Sequence, residues 1–343
     1  MLIVIWLLQR CAGKSGRIGF GIYSHSLRAW CRVLSSPRHI KGNNFMQTIR
    51  AVFLLFIMAM AFPAWSEEAA SRVVENGGTG QYSAVMMTEA SLPTHTLFRP
   101  ANIDKFKGKE ALPLIVWGNG ACYDSPWEHV NFLNEIASHG FLVIAIGTMP
   151  TEKGEQVTER STSSKLLDAI DWAIAQNKDK KSIYFKKIDT KNIAVAGMSC
   201  GGLQALEVAG DPRVSSLVVC NSGIFNDPIR GNAMPMMPQL DKTQLKNIHT
   251  PTLYLLGGPS DSAYNNGMND VEQINHVPVF VGNIDVGHGG TYAQPFGGDY
   301  AKVATAWFNW QLKGDKKAGE LFTGNPPGLS KFPGWTVDKK NMP

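Results

Sequence analysis

Residues 194–205 read AVAGMSCGGLQA and contain the spacing Gly197-x-Ser199-x-Gly201. An apolar run, Ile193–Ala196, precedes this spacing, and a stretch of helical character, Gly201–Val208, follows it. A tight strand-to-helix turn of this kind raises a strained serine above the sheet, and the flanking glycines leave room for it. The spacing alone is weak evidence, but its context predicts Ser199 as a nucleophile. The alternative is a glycine-rich turn whose serine only caps the helix.

Short β-rich runs alternate with helical patterns from about Tyr82 onward. Ser163–Ala175, for example, places its apolar residues on one helical stripe. Such alternation predicts an α/β fold: a doubly wound, mostly parallel eight-stranded sheet with helices on both faces. The first two runs have no helix between them and should form an antiparallel edge hairpin. The predicted strands are Tyr82–Met87, Thr94–Phe98, Leu112–Trp117, Phe141–Ile146, Asn192–Ala196, Val214–Cys220, Thr252–Leu256 and Val277–Val281.

The basic residues are unevenly distributed. The chain of 343 residues has a formal net charge of +5, with 33 Lys and Arg against 28 Asp and Glu. Residues 1–66 hold eight of the basic residues and no acidic one, which leaves 25 basic against 28 acidic residues beyond them. The remainder of the chain therefore has no basic surplus with which to attract nucleic acid, and no nucleic-acid partner is expected.

Residues 46–66 have the pattern of a signal peptide. Arg50 precedes the apolar run Ala51–Phe62, and the small residues Ala64 and Ser66 occupy the positions before a cleavage site. The apolar run is shorter than the roughly 20 residues of a membrane span. We therefore expect cleavage near Ser66, a secreted or periplasmic protein and no stable membrane span; an uncleaved anchor is the alternative. Residues 1–45 are expected to be an over-extended N-terminus, and residues 67–343 a single domain with a C-terminal extension from about residue 314.

A serine hydroxyl needs a base and a group that orients the base. His288 follows the last predicted strand, on the same edge of the sheet as Ser199. Asp261 follows the preceding strand on that edge and is the predicted acid. Asp285 is the rival candidate for the acid. It lies only three residues before His288, and side chains so close in sequence usually point apart. No HExxH pattern is present, so neither a metal nor another cofactor is expected.

Two backbone N–H groups should form an oxyanion hole. One belongs to Cys200, directly after the nucleophile, and the other to Ala121, in the loop Gly118-Asn119-Gly120-Ala121 after a predicted strand. The glycines free that loop to turn an amide into the cleft, although a Gly-Asn-Gly run is also a common ordinary turn.

From about Thr94 to Lys313 the chain resembles the α/β-hydrolase superfamily. It is most similar to a secreted branch near dienelactone hydrolases, platelet-activating-factor-type acetylhydrolases and bacterial cutinases and polyester hydrolases. The resemblance matches the order Ser199, Asp261, His288 and assigns the oxyanion positions to Ala121 and Cys200. It implies hydrolysis of a small or polymeric carboxylic ester through an acyl-enzyme. A peptidase or amidase on the same scaffold and a catalytically idle binding protein are the alternatives.

Three cysteines lie beyond the leader: Cys122, Cys200 and Cys220. Since Cys122 and Cys200 flank the two predicted oxyanion donors, which must lie close together, we expect a disulfide between them. A Cys200–Cys220 bond is the second possibility, and three free thiols the third.

Several side chains are predicted to border the substrate cleft because of their place in the sequence near the active edge. These candidates are Asn119, Tyr123, Met198 and Met236. Met234 and Met237, beside Met236, could also line a cap over the substrate, with structural packing as the alternative. The oligomeric state is not predicted.

Overall fold

The computed structural model describes residues 70–150, 158–227 and 236–342. All of these residues belong to one compact unit, Ser66–Pro343. The predicted signal peptide and the predicted over-extended N-terminus lie outside the described residues.

The described residues contain ten strands in one sheet, in the order β1-β2-β3-β5-β4-β6-β7-β8-β9-β10. The six neighbours from β5 to β9 run parallel, whereas β1, β2 and β3 are antiparallel at one edge and β10 is antiparallel to β9 at the other. This arrangement confirms the predicted α/β class with a mostly parallel sheet. The strands are β1 Ser71–Val73, β2 Ala84–Met87, β3 His95–Pro100, β4 Leu112–Gly118, β5 Leu142–Ile146, β6 Ile188–Met198, β7 Ser216–Cys220, β8 Thr252–Leu256, β9 Val279–Ile284 and β10 Trp335–Lys340.

The predicted number of eight strands is wrong, because both outermost strands were missed. β1 has only three residues, all exposed. β10 lies in the C-terminal extension and pairs with β9 over six residues, although only Trp335 among them is buried. Short, charged and mostly solvated strands are typical of sheet edges, and they lack the apolar run by which the inner strands are recognised.

Six α-helices are present in the described part of the chain: α1 Val130–Ser138, α2 Ser164–Lys178, α3 Cys200–Val208, α4 Tyr264–Gln273, α5 Gly298–Lys313 and α6 Lys316–Gly319. α1 and α5 share a core with Ile115 and Trp117 of β4, whereas α2 and α3 share a second core with Leu114 and Val116 of the same strand. Because successive strand residues point to opposite faces, helices cover both faces of the sheet, as predicted. None of the described helices is long and apolar enough to cross a membrane.

The carboxyl ends of β4, β6, β7, β8 and β9 lie along one edge, since these strands are parallel neighbours. In open α/β sheets this edge carries the functional site.

Candidate active site

Ser199 occupies the single residue between β6 and α3, with φ 53° and ψ −119°. A positive φ is strained for a residue with a Cβ and is tolerated only where neighbouring structure imposes it. The two glycines of the motif permit this crowded turn. A Cβ on Gly201 would lie 2.1 Å from the carbonyl carbon of Gly118, and one on Gly197 would lie 2.2 Å from the oxygen of Gly201. The turn therefore has the geometry that the Gly-x-Ser-x-Gly spacing predicted.

The last residue of β7 and the loop that follows it both hydrogen-bond to the backbone of Ser199. The Ser199 N–H donates to the carbonyl oxygen of Cys220 at 3.0 Å. The Ser222 hydroxyl donates to the Ser199 carbonyl oxygen at 2.7 Å. Both main-chain polar groups of the strained serine thus have partners, which lowers the cost of its conformation.

Three predicted side chains meet at this edge. His288 Nε2 lies 2.9 Å from Ser199 Oγ, and His288 Nδ1 lies 2.6 Å from Asp261 Oδ1. Asp261 follows β8 and His288 follows β9. Asp285, the rival acid, accepts instead from the Ser260 hydroxyl at 2.6 Å. The structure thus joins hydroxyl, imidazole and carboxylate in one hydrogen-bonded chain that includes Asp261.

The surroundings of Asp261 favour its charged form. Burial opposes ionisation, but hydrogen bonds from His288, from the Ala263 N–H, from the Asn221 side chain and from the Gly257 N–H lower the pKa of the carboxyl below its usual value. Hydrogen bonds donated to a carboxylate stabilise the charged state most. Asp261 is therefore a carboxylate at neutral pH, as a group that orients and stabilises an imidazolium must be.

Asn221 is a site residue that the sequence analysis missed. It is fully buried directly after β7. Its Nδ2 donates to Asp261 Oδ2 at 2.9 Å and to the Gly287 carbonyl oxygen at 3.2 Å, and its Oδ1 accepts from the Tyr292 hydroxyl. One amide group therefore connects the loop of the acid with the loop of the histidine. The only sequence signal was an amide residue at the end of a buried strand on the active edge.

Cys122 and Cys200 form a disulfide with their Cα atoms 5.1 Å apart, as predicted. Cys220 is a free, buried thiol, so the alternative Cys200–Cys220 bond is wrong. The disulfide ties the short 3₁₀ segment Gly120–Cys122 to the first residue of α3. In that segment Ala121 and Cys122 both have positive φ, 51° and 55°.

The two predicted oxyanion donors lie in these tied segments. Cys200 is the first residue of α3, and the N–H groups at a helix start have no partner within the helix. Ala121 is adjacent to the disulfide, in the segment that the bond holds against α3.

A cavity of about 180 Å³ opens beside Ser199 and His288. Three apolar side chains border it: Leu203, Phe225 and Met237. The other lining residues are small or polar, namely Cys200, Asn221, Ser222, Gly223, Ser262, Ala263 and Asn266. Ser199 therefore faces a small space that is partly lined by apolar side chains.

None of the four predicted cleft residues lines this cavity. Asn119 is buried and donates to the carbonyl oxygens of Tyr123 and Ile146 at 2.9 and 2.7 Å, so its amide holds the loop together. Tyr123 lies under the Arg160 guanidinium, 5.2 Å from the ring centroid.

Met198 and Met236 lie away from this cavity for different reasons. Met198 belongs to β6 and is 7% exposed, packed into the core. Met236 is exposed and borders a separate hollow with residues of α2 and α3. Its neighbour Met237, which was named with it as a possible cap residue, lines the cavity at Ser199. Met234 lies outside the described residues.

No group of His, Cys, Asp or Glu side chains in the described part of the chain could hold a metal ion.

A strained serine between a strand and a helix, hydrogen-bonded to a histidine that in turn bonds to an aspartate above a mostly parallel sheet, is the architecture of an α/β-hydrolase. Residues 115–326, more than half of the chain, match the PET hydrolase-like family, and the chain belongs to this family. The matched range runs from β4 to beyond α6 and includes Ser199, Asp261 and His288. Among curated proteins, none matches this sequence. Family and fold together indicate an ester hydrolase of the α/β-hydrolase type.

Proposed function

We propose that the protein hydrolyses carboxylic esters through an acyl-enzyme intermediate, with Ser199 as nucleophile, His288 as general base and Asp261 as the acid of the triad. One observation carries the proposal: the continuous hydrogen-bonded chain from Ser199 Oγ through both ring nitrogens of His288 to Asp261 Oδ1. Membership in the PET hydrolase-like family supports the same chemistry.

In the acylation step, Ser199 Oγ attacks the ester carbonyl carbon while its proton passes to His288 Nε2. The imidazolium that forms is stabilised by the carboxylate of Asp261. The backbone N–H groups of Ala121 and Cys200 donate to the tetrahedral oxyanion. When the carbon–oxygen bond to the alcohol breaks, His288 returns the proton to the leaving oxygen. A water molecule, deprotonated by His288, then attacks the acyl-enzyme and releases the acid.

The apolar wall of the cavity at Ser199 supports an ester with an apolar or aromatic acyl group. Leu203, Phe225 and Met237 can pack against such a group, and the flexible thioether of Met237 adapts to irregular shapes. A polymeric ester is compatible with a site at the edge of the sheet, and the family description makes an aromatic polyester a candidate.

We further propose that the protein works outside the cytoplasm. The leader pattern of residues 46–66 supports export. The Cys122–Cys200 disulfide also supports it, because such bonds persist in oxidising compartments.

The test is turnover of p-nitrophenyl esters of graded acyl length, and of a polyester film, by wild type and Ser199→Ala. We expect the variant to lose roughly 10⁶-fold in kcat. Ser260→Ala is the matched control, since Ser260 is exposed on the same edge and, within the described residues, its hydroxyl bonds only to Asp285. Substantial activity in Ser199→Ala, or a folded wild type that hydrolyses no ester, would refute the proposal.

A further inference from the structure

The loop that carries His288 is rich in glycine. Residues 287–290 read Gly-His-Gly-Gly, and both Gly287 and Gly290 have positive φ. Glycine adopts many backbone conformations with little preference among them, so a loop of this composition is ordered only by contacts with the rest of the protein. None of residues 283–290 is buried. The position of the imidazole therefore depends on groups that hold this loop from outside.

Tyr292, four positions after His288, anchors the end of the loop in the core. Its side chain is 2% exposed. The ring packs edge-on against those of His129, Phe132 and Tyr300, with ring centroids 4.9, 5.2 and 5.3 Å away. These contacts hold the ring, so the core sets the direction in which its hydroxyl points.

The hydroxyl of Tyr292 points at the amide of Asn221 and donates to its Oδ1. Burial raises the pKa of Tyr292 well above its usual value, so the hydroxyl keeps its proton and remains a donor at neutral pH. The Cys220 thiol also contacts this hydroxyl, but an amide oxygen is the stronger acceptor. Tyr292 therefore gives its one proton to Asn221.

The other end of the Asn221 amide faces acceptors. Nδ2 donates to Asp261 Oδ2 at 2.9 Å and to the Gly287 carbonyl oxygen at 3.2 Å. Among the described residues, Tyr292 supplies the donor that Oδ1 has. Without that hydroxyl the buried Oδ1 would be left unpaired, which favours rotation of the amide away from Asp261 and Gly287.

We propose that Tyr292 is a positioning residue of the triad: its hydroxyl holds the Asn221 amide, and this amide holds both Asp261 and the loop of His288 in place. The inference rests on the proposed function and adds to it a residue behind the reacting groups. Tyr292 does not line the cavity at Ser199. It therefore affects the rate at which the serine reacts and leaves binding of the ester unchanged.

The first test is Tyr292→Phe, which removes the hydroxyl and keeps the ring. We expect kcat for p-nitrophenyl acetate to fall about 5- to 20-fold, as for a buried amide left without a donor, with KM unchanged. Tyr254→Phe is the matched control, because Tyr254 is also fully buried and its hydroxyl donates at 3.2 Å to Asp270, a carboxylate that makes no hydrogen bond to the triad. This control should keep wild-type kcat. Kinetics are measured well below the unfolding midpoint of each variant.

A double variant shows whether Tyr292 acts through Asn221. If it does, Tyr292→Phe combined with Asn221→Ala should have the same kcat as Asn221→Ala alone, because the hydroxyl then has no amide to hold. Independent contributions would multiply. Multiplied losses, a wild-type kcat in Tyr292→Phe or an equal loss in Tyr254→Phe would overturn the proposal.

A spectroscopic measurement tests the positioning without turnover. The proton between His288 Nδ1 and Asp261 Oδ1, which lie 2.6 Å apart, should give a low-field proton NMR signal that is absent from His288→Ala. We expect Tyr292→Phe to shift or broaden this signal and Tyr254→Phe to leave it unchanged. An unchanged signal in Tyr292→Phe would overturn the proposal. A wild type that hydrolyses no ester, but whose signal responds to Tyr292→Phe alone, would refute the proposed function and support the positioning.

Discussion

Replacing both cysteines of the Cys122–Cys200 disulfide by alanine should lower stability and activity together. The bond joins residues 78 positions apart. In the chain-entropy description of cross-links, a closed loop of that length corresponds to about 4.5 kcal/mol of stabilisation at 25 °C. For a protein of ordinary stability this is a large part of the free energy of unfolding.

The effect on catalysis follows from what the disulfide holds. Ala121 and Cys122 both have strained positive φ values, and a strained conformation persists only where surrounding structure imposes it. Without the bond we expect the segment Gly120–Cys122 to relax away from α3. Loss of one oxyanion donor costs about 2.7–4 kcal/mol in the barrier, so kcat should fall by about 10² to 10³ with a smaller change in KM.

The assay is guanidinium unfolding followed by tryptophan fluorescence, together with kinetics on a p-nitrophenyl ester. Cys220→Ala is the control, because it removes a buried thiol that forms no disulfide. We expect this control to lose a smaller amount of stability, through the small cavity it creates and the lost contact of the thiol with Tyr292, and to keep its kcat. A double variant that unfolds within 1 kcal/mol of wild type, or that keeps wild-type kcat, would refute the reasoning.

Two further predictions concern buried residues near the site. Asn221→Ala removes the hydrogen bond to Asp261 Oδ2, so the pKa of Asp261 should rise. We expect kcat to fall about 10- to 100-fold, with KM little changed. A kcat–pH profile identical to that of wild type would contradict this prediction. Burial lowers the pKa of His129 to about 3 in the folded protein. The unfolded chain therefore protonates this imidazole at a higher pH than the folded protein does, and the free energy of unfolding decreases as pH falls from about 6.5 towards 3. Between pH 7 and pH 5 this loss of stability amounts to about 2 kcal/mol. The variant His129→Phe keeps the ring contacts with Trp117 and Tyr292 and should abolish the loss. Urea unfolding of both proteins at the two pH values measures the difference, and equal losses in wild type and variant would show the idea to be wrong.

The α/β character of the described region and the strand-turn-helix around Ser199 could be predicted because they depend on local signals. Inner strands such as β4 and β7 bury both faces, so their sequences are nearly continuous apolar runs. The turn at Ser199 needs glycine at two fixed positions, and that requirement is visible in five consecutive residues. The disulfide was also predictable, since Cys122 and Cys200 each adjoin a segment expected at the same edge of the sheet.

Other features depended on contacts between distant parts of the chain. β10 could not be recognised, because an edge strand is stabilised by backbone pairing with β9 and needs few apolar side chains of its own. The pairing of Asn221 with Asp261 and Gly287 joins three separate loops. The lining of the cavity by Met237 in place of Met236 depends on where one loop backbone turns.

The amino-acid sequence by itself therefore determined the elements with a recognisable apolar pattern and the turn at Ser199, which requires glycine at two flanking positions. Tertiary structure decided which polar side chain meets which, and which loop residues line the cavity beside Ser199. The physical reason is that burial pattern and backbone strain act within a few residues, whereas hydrogen-bond partners and cavity walls are set by how the strands bring remote loops together at one edge.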